Sequence, residues 1–235
     1  MEQPSVISRP ADQVRLNAFV QGVYNWMFAG LAITGACAWA VSSMTPLRRF
    51  FMGNAIVPII LFIATLGLVV ALSARIQKMQ ASTATGLFLL YSGLMGVMIS
   101  SIFLVYTTAS IASTFLVCAA MFGAVSLYGW KTQRNLMGMG SFLFMGLVGI
   151  ILASVANWFL GSPMLQWIIS YAGVGLFLGL TAYDTQRIKH MAETQPADVG
   201  PSAVRKASIL GALSLYLDFI NLFLFLLQIL GQSRD

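Results

Sequence analysis

Residues 209–230 read ILGALSLYLDFINLFLFLLQIL, an apolar run in which Asp218 is the single charged residue. A helix needs about 20 predominantly apolar residues to cross the hydrocarbon core of a bilayer, and this run is long enough. Backbone N–H and C=O groups find no water in that core, so they must bond to each other within a helix. The run therefore predicts a membrane-spanning helix with one acidic side chain inside it.

Six further runs of this kind precede it along the 235 residues. The seven predicted spans are 24–44, 55–74, 84–106, 110–130, 139–160, 164–183 and 209–230. The composition agrees, because 9% of the residues are charged, whereas a soluble domain has about 25%. The sequence predicts an all-α membrane protein, a seven-transmembrane-helix bundle over residues 23–231, with a tail at 1–22 and a short tail at 232–235.

The positive charges are distributed unevenly between the connections. Ten of the 13 Lys and Arg residues fall on the side that holds the N-terminus: Arg9, Arg15, Arg75, Lys78, Lys131, Arg134, Arg187, Lys189, Arg205 and Lys206. Because cytoplasmic loops are enriched in Lys and Arg, this asymmetry predicts a cytoplasmic N-terminus. Membrane topology thereby explains the net charge of +6, and no nucleic-acid partner is expected.

Two acidic residues belong to the predicted spans, Asp184 at the end of the sixth and Asp218 inside the seventh. An ionisable side chain within a bilayer costs about 2.5–3.5 kcal/mol on insertion scales and usually faces the bundle interior. The two spans run in opposite directions, so both carboxyl groups lie in the same half of the membrane. We expect the pair to meet, to share a proton and to titrate as one unit.

Polar residues follow one face of the seventh span, at steps of three, four or seven residues. Ser214, Asn221 and Gln228 lie on this face together with Asp218. A polar stripe along a spanning helix needs partners or water, which predicts a central seventh helix whose stripe faces an aqueous pore. The alternative is a buried, hydrogen-bonded packing seam.

Arg75 ends the second span on the same side of the membrane as the two aspartates. One interpretation is a gating salt bridge to Asp184 or Asp218 that closes the path. The other is an interfacial anchor whose charged end stays in water. Arg187 follows Asp184 by three residues, so a local helical ion pair competes for that carboxylate.

Small residues recur at every fourth position in other spans, for example Gly30 and Thr34 in the first and Ser92 and Gly96 in the third. Such spacing lets helix backbones approach closely in membranes. These stripes predict helix packing rather than a functional site.

Two segments of the chain resemble a known family. ALSLYLDFINLFL at 212–224 resembles the signature of the Bax inhibitor family of seven-helix membrane proteins, and AYDTQRIKH at 182–190 resembles the end of that family's sixth helix. The resemblance implies a calcium-permeable leak pathway, or a calcium/proton exchanger, whose gate responds to pH through a pair of aspartates. Those aspartates correspond to Asp184 and Asp218, and the family's second-helix arginine corresponds to Arg75. Because calcium prefers hard oxygen ligands, the resemblance also implies a transient calcium site at Asp184 and Asp218. The compact chain and basic loops look most like bacterial members, which implies the inner membrane.

Two other functions fit parts of this pattern. The first is a non-transporting membrane protein that modulates a membrane protease or another membrane complex, as some bacterial relatives imply. The second, more remote, is an intramembrane aspartyl protease, because Tyr183 and Asp184 resemble its Tyr-Asp motif. Its second aspartate follows a Gly-x-Gly pattern, whereas 215–217 read LYL before Asp218 here. We therefore expect no enzymatic activity and no cofactor, with the bilayer, calcium and protons as partners.

Overall fold

The structure is a computed structural model that describes residues 10–53, 56–194 and 200–234. These residues form nine α-helices: α1 (Pro10–Ser43), α2 (Thr45–Met52), α3 (Ile56–Arg75), α4 (Ala81–Ile99), α5 (Ile102–Val105), α6 (Thr108–Lys131), α7 (Gly140–Leu160), α8 (Pro163–Glu193) and α9 (Pro201–Leu230). Within these ranges there is no β-strand, and seven helical segments are long and apolar enough to cross a membrane: α1, α3, α4 with α5, α6, α7, α8 and α9. The predicted fold class, an all-α membrane protein with seven spans, is confirmed.

Several helices extend beyond the apolar runs that predicted them. α1 begins at Pro10 rather than at residue 24, α8 continues to Glu193, and α9 begins at Pro201. The extensions are helical because they still bury side chains against the bundle: Phe19 in α1 and Ile188 in α8 are both buried. Apolarity marks the lipid-facing length of a helix, whereas packing decides where the helix ends.

The third predicted span is interrupted. Ser100 and Ser101 separate α4 from α5, and the hydroxyl of Ser100 donates to the carbonyl of Val97 one turn back. Serine hydroxyls that bond to the preceding turn compete with the backbone ladder and bend helices. The short amphipathic helix α2, in the first connection, is likewise absent from the sequence prediction.

α9 is the most deeply buried of the seven spans. In its most apolar window 67% of the residues are buried, against 33% or less in each of the other spans. It packs against α8, α1, α6 and α4, whereas α3 and α7 expose most of their apolar side chains. In a membrane those exposed apolar faces meet lipid, whereas Ser208 and Asp218 of α9 are enclosed by protein.

The contact of α9 with α1 and α4 is tight and its polar groups are satisfied. The Tyr216 hydroxyl lies 2.6 Å from Thr34 Oγ1, which lies 2.9 Å from the carbonyl oxygens of both Gly30 and Ser92. Because Thr34 has a single hydroxyl hydrogen and donates it to these carbonyls, Tyr216 must donate to Thr34. A Cβ on Gly96 would lie 2.5 Å from the Thr34 carbonyl oxygen, so a glycine is needed for the close approach of α4 to α1.

The two ends of α9 are held in different ways. Beyond Leu230, Thr107 N donates to Gln232 O (3.1 Å) and Arg234 N donates to Val105 O (2.8 Å). We call this backbone pairing the C-terminal clasp. Near Pro201 the contact is made by a side chain, because Lys206 Nζ donates to the carbonyl of Gln77 (2.9 Å).

Candidate functional site

Asp218 lies inside the bundle, at the middle of the most buried helix. Its side chain is 4% exposed, and Oδ2 has no hydrogen-bond partner among the residues that the structure describes. Leaving a buried polar group unpaired costs about 1–3 kcal/mol, and more when the group is charged. A carboxyl group in this position is therefore expensive for the fold, which is typical of residues kept for function.

Asp184 belongs to α8, the helix that packs most extensively against α9. Its side chain is 13% exposed, and its carboxyl group is close enough to that of Asp218 for the two to interact electrostatically across the helix interface. The structure thus brings the two aspartates of the sequence prediction into electrostatic range of each other. One is fully enclosed and the other lies closer to the end of its span.

Asp184 forms its ion pair with a residue of its own helix. Arg187 Nη1 lies 3.7 Å from Asp184 Oδ1, and the arginine side chain is 46% exposed. This is the local helical pair that the sequence analysis weighed against Arg75. Because the arginine end of this pair is exposed to water, the pair is weak, and Arg187 holds Asp184 only loosely.

The predicted gating salt bridge of Arg75 is not formed in this structure. Arg75 is exposed at the end of α3, and in the described parts of the chain it pairs with neither Asp184 nor Asp218. The next residue, Ile76, is the one that is buried against the bundle. Since burial of Ile76 sets how the chain leaves α3, the Arg75 side chain stays at the surface.

The polar stripe of α9 is only partly what the sequence predicted. Ser214 is half-buried, and Asn221 donates to the Leu217 carbonyl of its own helix (2.8 Å). Gln228 Oε1 accepts from Gln166 Nε2 (2.7 Å) and from Ser170 Oγ (2.8 Å), both in α8. Gln228, which is exposed, therefore bonds across to α8, whereas Asn221 bonds within its own helix.

Buried hydroxyl groups on α6 and α8 were missed by the sequence analysis. Thr185, next to Asp184, donates to Ser126 of α6 (3.4 Å), and both are buried. Thr114, nearer the start of α6, is also buried, and its hydroxyl has no hydrogen-bond partner among the residues that the structure describes. The available signal was the helical spacing of Thr114, Cys118, Phe122 and Ser126 in the fourth span, which places polar residues on a face that α9 covers.

Chemically, the two carboxyl groups offer oxygen atoms that exchange protons and attract cations. Within residues 10–53, 56–194 and 200–234 no group of three or more His, Cys, Asp and Glu side chains is placed to hold a metal ion. A pair of carboxylates suits brief contact with a passing calcium ion better than tight binding, since calcium usually takes six to eight oxygen ligands.

Comparison with known proteins identifies the family. The family model described as "Inhibitor of apoptosis-promoting Bax1" matches residues 16–235. The chain is 53% identical to the Escherichia coli inner membrane protein YbhL over 93% of both chains. It is 43% identical to an uncharacterized protein of Borreliella burgdorferi, over 93% of this chain and 94% of that one, and 43% identical to one of Rickettsia prowazekii, over 94% and 92%. The chain therefore belongs to the Bax inhibitor family.

Proposed function

We propose that this member of the Bax inhibitor family provides a pH-sensitive pathway for calcium across the membrane, as a leak channel or a calcium/proton exchanger. The pair Asp184 and Asp218 is its sensor. The observation that carries the proposal is the buried carboxyl group of Asp218, whose Oδ2 has no hydrogen-bond partner in the described parts of the chain and which lies within electrostatic range of a second carboxyl group.

Electrostatics explains why such a pair responds to pH. Two negative charges close together in a low-dielectric interior repel each other strongly, and a shared proton or a bound cation relieves the repulsion. Protons and calcium therefore compete for the same oxygen atoms. Because calcium needs the deprotonated form, the calcium concentration that half-saturates flux should fall as pH rises.

The decisive test measures calcium flux into liposomes that contain the purified protein, over a range of pH. We expect flux to depend on pH in the parent protein, and either Asp184→Asn or Asp218→Asn to flatten that dependence. Loss of one charged calcium ligand should raise the half-saturating calcium concentration by more than about tenfold.

Two control variants accompany these. Glu193→Gln removes an exposed acid at the end of α8, and Arg75→Ala removes an exposed cation that pairs with neither aspartate. Both should keep the pH dependence of the parent. If the folded parent protein carries no calcium at any pH, the proposal fails, and the alternative of a non-transporting modulator of a membrane protease or other complex takes its place.

We also propose an inner-membrane location with the N-terminus in the cytoplasm. The name of the E. coli relative gives the inner membrane for that protein, and the asymmetry of Lys and Arg supports the orientation. Alkaline phosphatase fused after residue 235 should then be active, because the last residues would lie outside the cytoplasm. An inactive fusion would indicate the opposite orientation and contradict this proposal.

A further inference from the structure

An open cavity of about 470 Å³, with both apolar and polar lining, lies at the end of the bundle where α6 leads into α7 and α8 ends. Its polar lining includes Arg134, Asn135, Gln186, Lys189, His190 and Glu193. Neither Asp184 nor Asp218 lines it, so this cavity is separate from the aspartate pair.

The walls of the cavity are held in place by hydrogen bonds. Gln186 of α8 fixes the connection after α6, because its Oε1 accepts from Leu136 N (2.7 Å) and its Nε2 donates to Arg134 O (2.8 Å). The Asn135 Oδ1 accepts from Met137 N (2.9 Å) in the same connection. A site whose backbone is already ordered loses less entropy when it binds a ligand.

The donors that line the cavity suit an anion. Lys189 uses one N–H on the Trp130 carbonyl (3.0 Å) and keeps two others. Asn135 accepts through its oxygen and keeps its amide N–H groups, and the exposed guanidinium of Arg134 has five donors. With one acid, Glu193, against Arg134 and Lys189, the lining carries an excess of one positive charge when His190 is neutral.

The position of the cavity points to the membrane boundary. Lys189 Nζ lies 5.5 Å from the centre of the Trp130 ring, at the end of α6. Tryptophan is enriched where the acyl chains meet the headgroups, and basic pockets between spans at this level bind anionic headgroups. The phosphate of a phospholipid such as phosphatidylglycerol is a singly charged diester, which matches an excess of one positive charge.

We propose that this cavity binds a phosphate group, carried by the headgroup of an anionic phospholipid. Arg134 and Lys189 neutralise its charge, and Asn135 contributes a neutral donor. Glu193 disfavours more highly charged anions. The inference concerns lipid recognition and holds whether or not the protein conducts calcium.

The test uses native mass spectrometry of the full chain from nanodiscs that contain phosphatidylglycerol or only phosphatidylcholine. The parent protein should retain phosphatidylglycerol, and Arg134→Gln should weaken retention about fivefold, which corresponds to about 1 kcal/mol for one cation near the membrane surface. Glu193→Gln should act in the opposite direction and strengthen retention. Lys131→Gln is the matched control, because Lys131 is an exposed cation at the end of α6 that does not line the cavity.

Inorganic phosphate added to the detergent-purified protein separates the two sources of the ligand. Displacement of the lipid by millimolar phosphate would assign the site to free phosphate and overturn the lipid headgroup as occupant. Equal losses for Arg134→Gln and Lys131→Gln would show attraction by general surface charge and overturn the site itself, as would equal retention of both lipids. Thermal unfolding of each variant establishes that the comparison is between folded proteins.

Discussion

The two sides of α9 differ although their key residues are only two positions apart. Tyr216 faces α1 and α4, where its hydroxyl is hydrogen-bonded and its ring packs on Tyr91 and Phe88. Asp218 lies two residues later and about 200° around the helix, within electrostatic range of Asp184 of α8. Its Oδ2 has no hydrogen-bond partner among the residues that the structure describes. One side is satisfied and closely packed, and the other holds an unsatisfied acid. The difference teaches that a single helix combines a fixed interface with one that retains chemical reactivity.

The closely packed region where α1, α4 and α9 meet should be the more sensitive to added side-chain volume. Gly96→Leu places a side chain where a Cβ alone would meet the Thr34 carbonyl oxygen at 2.5 Å, so we expect a loss of about 3 kcal/mol in the free energy of unfolding. Denaturation of the reconstituted protein measures it. Gly149→Leu is the control, because a Cβ there meets nothing within 4 Å. Equal losses for the two variants would show that the closeness of α1 and α4 does not limit stability.

On the side of α9 that holds Asp218, removing the carboxyl group should make the protein more stable. Asp218→Leu replaces a buried carboxyl group with an apolar side chain, and we expect a gain of about 1–3 kcal/mol in the free energy of unfolding. The same variant should lose the pH dependence of calcium flux. Asp218→Asn, which keeps the polarity, separates the two effects. A destabilised Asp218→Leu protein would mean that the carboxyl group has a structural role.

The smallest effect is expected from the hydroxyl of Tyr216. Tyr216→Phe removes one hydrogen bond and leaves Thr34 its carbonyl partners, so we expect a loss of about 1 kcal/mol in the free energy of unfolding. The pH dependence of flux should not change, because this side does not hold the sensor. If Tyr216→Phe shifts the pH dependence of calcium flux, the two sides of α9 are coupled and do not act independently.

Sequence reasoning predicted the seven spans and the position of both aspartates along them. Apolar length gives the span, and a rise of 1.5 Å per residue gives the depth of a side chain. For Arg75 it left two interpretations open, a gating salt bridge and an interfacial anchor, and it did not predict that Gln228 bonds to Gln166. Periodicity shows on which face of its own helix a residue lies, but which neighbouring helix faces it depends on packing between distant segments.

The same limit applies to the ends of the helices. The sixth span was predicted to end at residue 183, whereas α8 continues to Glu193. The early start of α1 was not expected, because residues before 24 are too polar for a lipid-facing helix. The predicted tail at 1–22 is described only from residue 10, and residues 1–9, 54–55, 195–199 and 235 lie outside the described ranges.

The C-terminal clasp gives α9 a pivot. Its main-chain hydrogen bonds hold the Leu230 end, while side-chain contacts hold the Pro201 end: Lys206 with the Gln77 carbonyl and Arg205 with the Trp26 ring. Any tilt of the helix is then a lever motion whose amplitude grows with distance from the clasp. Asp218 sits about 18 Å along that lever arm at 1.5 Å per residue. A tilt of α9 would displace Asp218 less than Pro201. Even that smaller displacement would change which oxygen atoms face each other across the interface with α8.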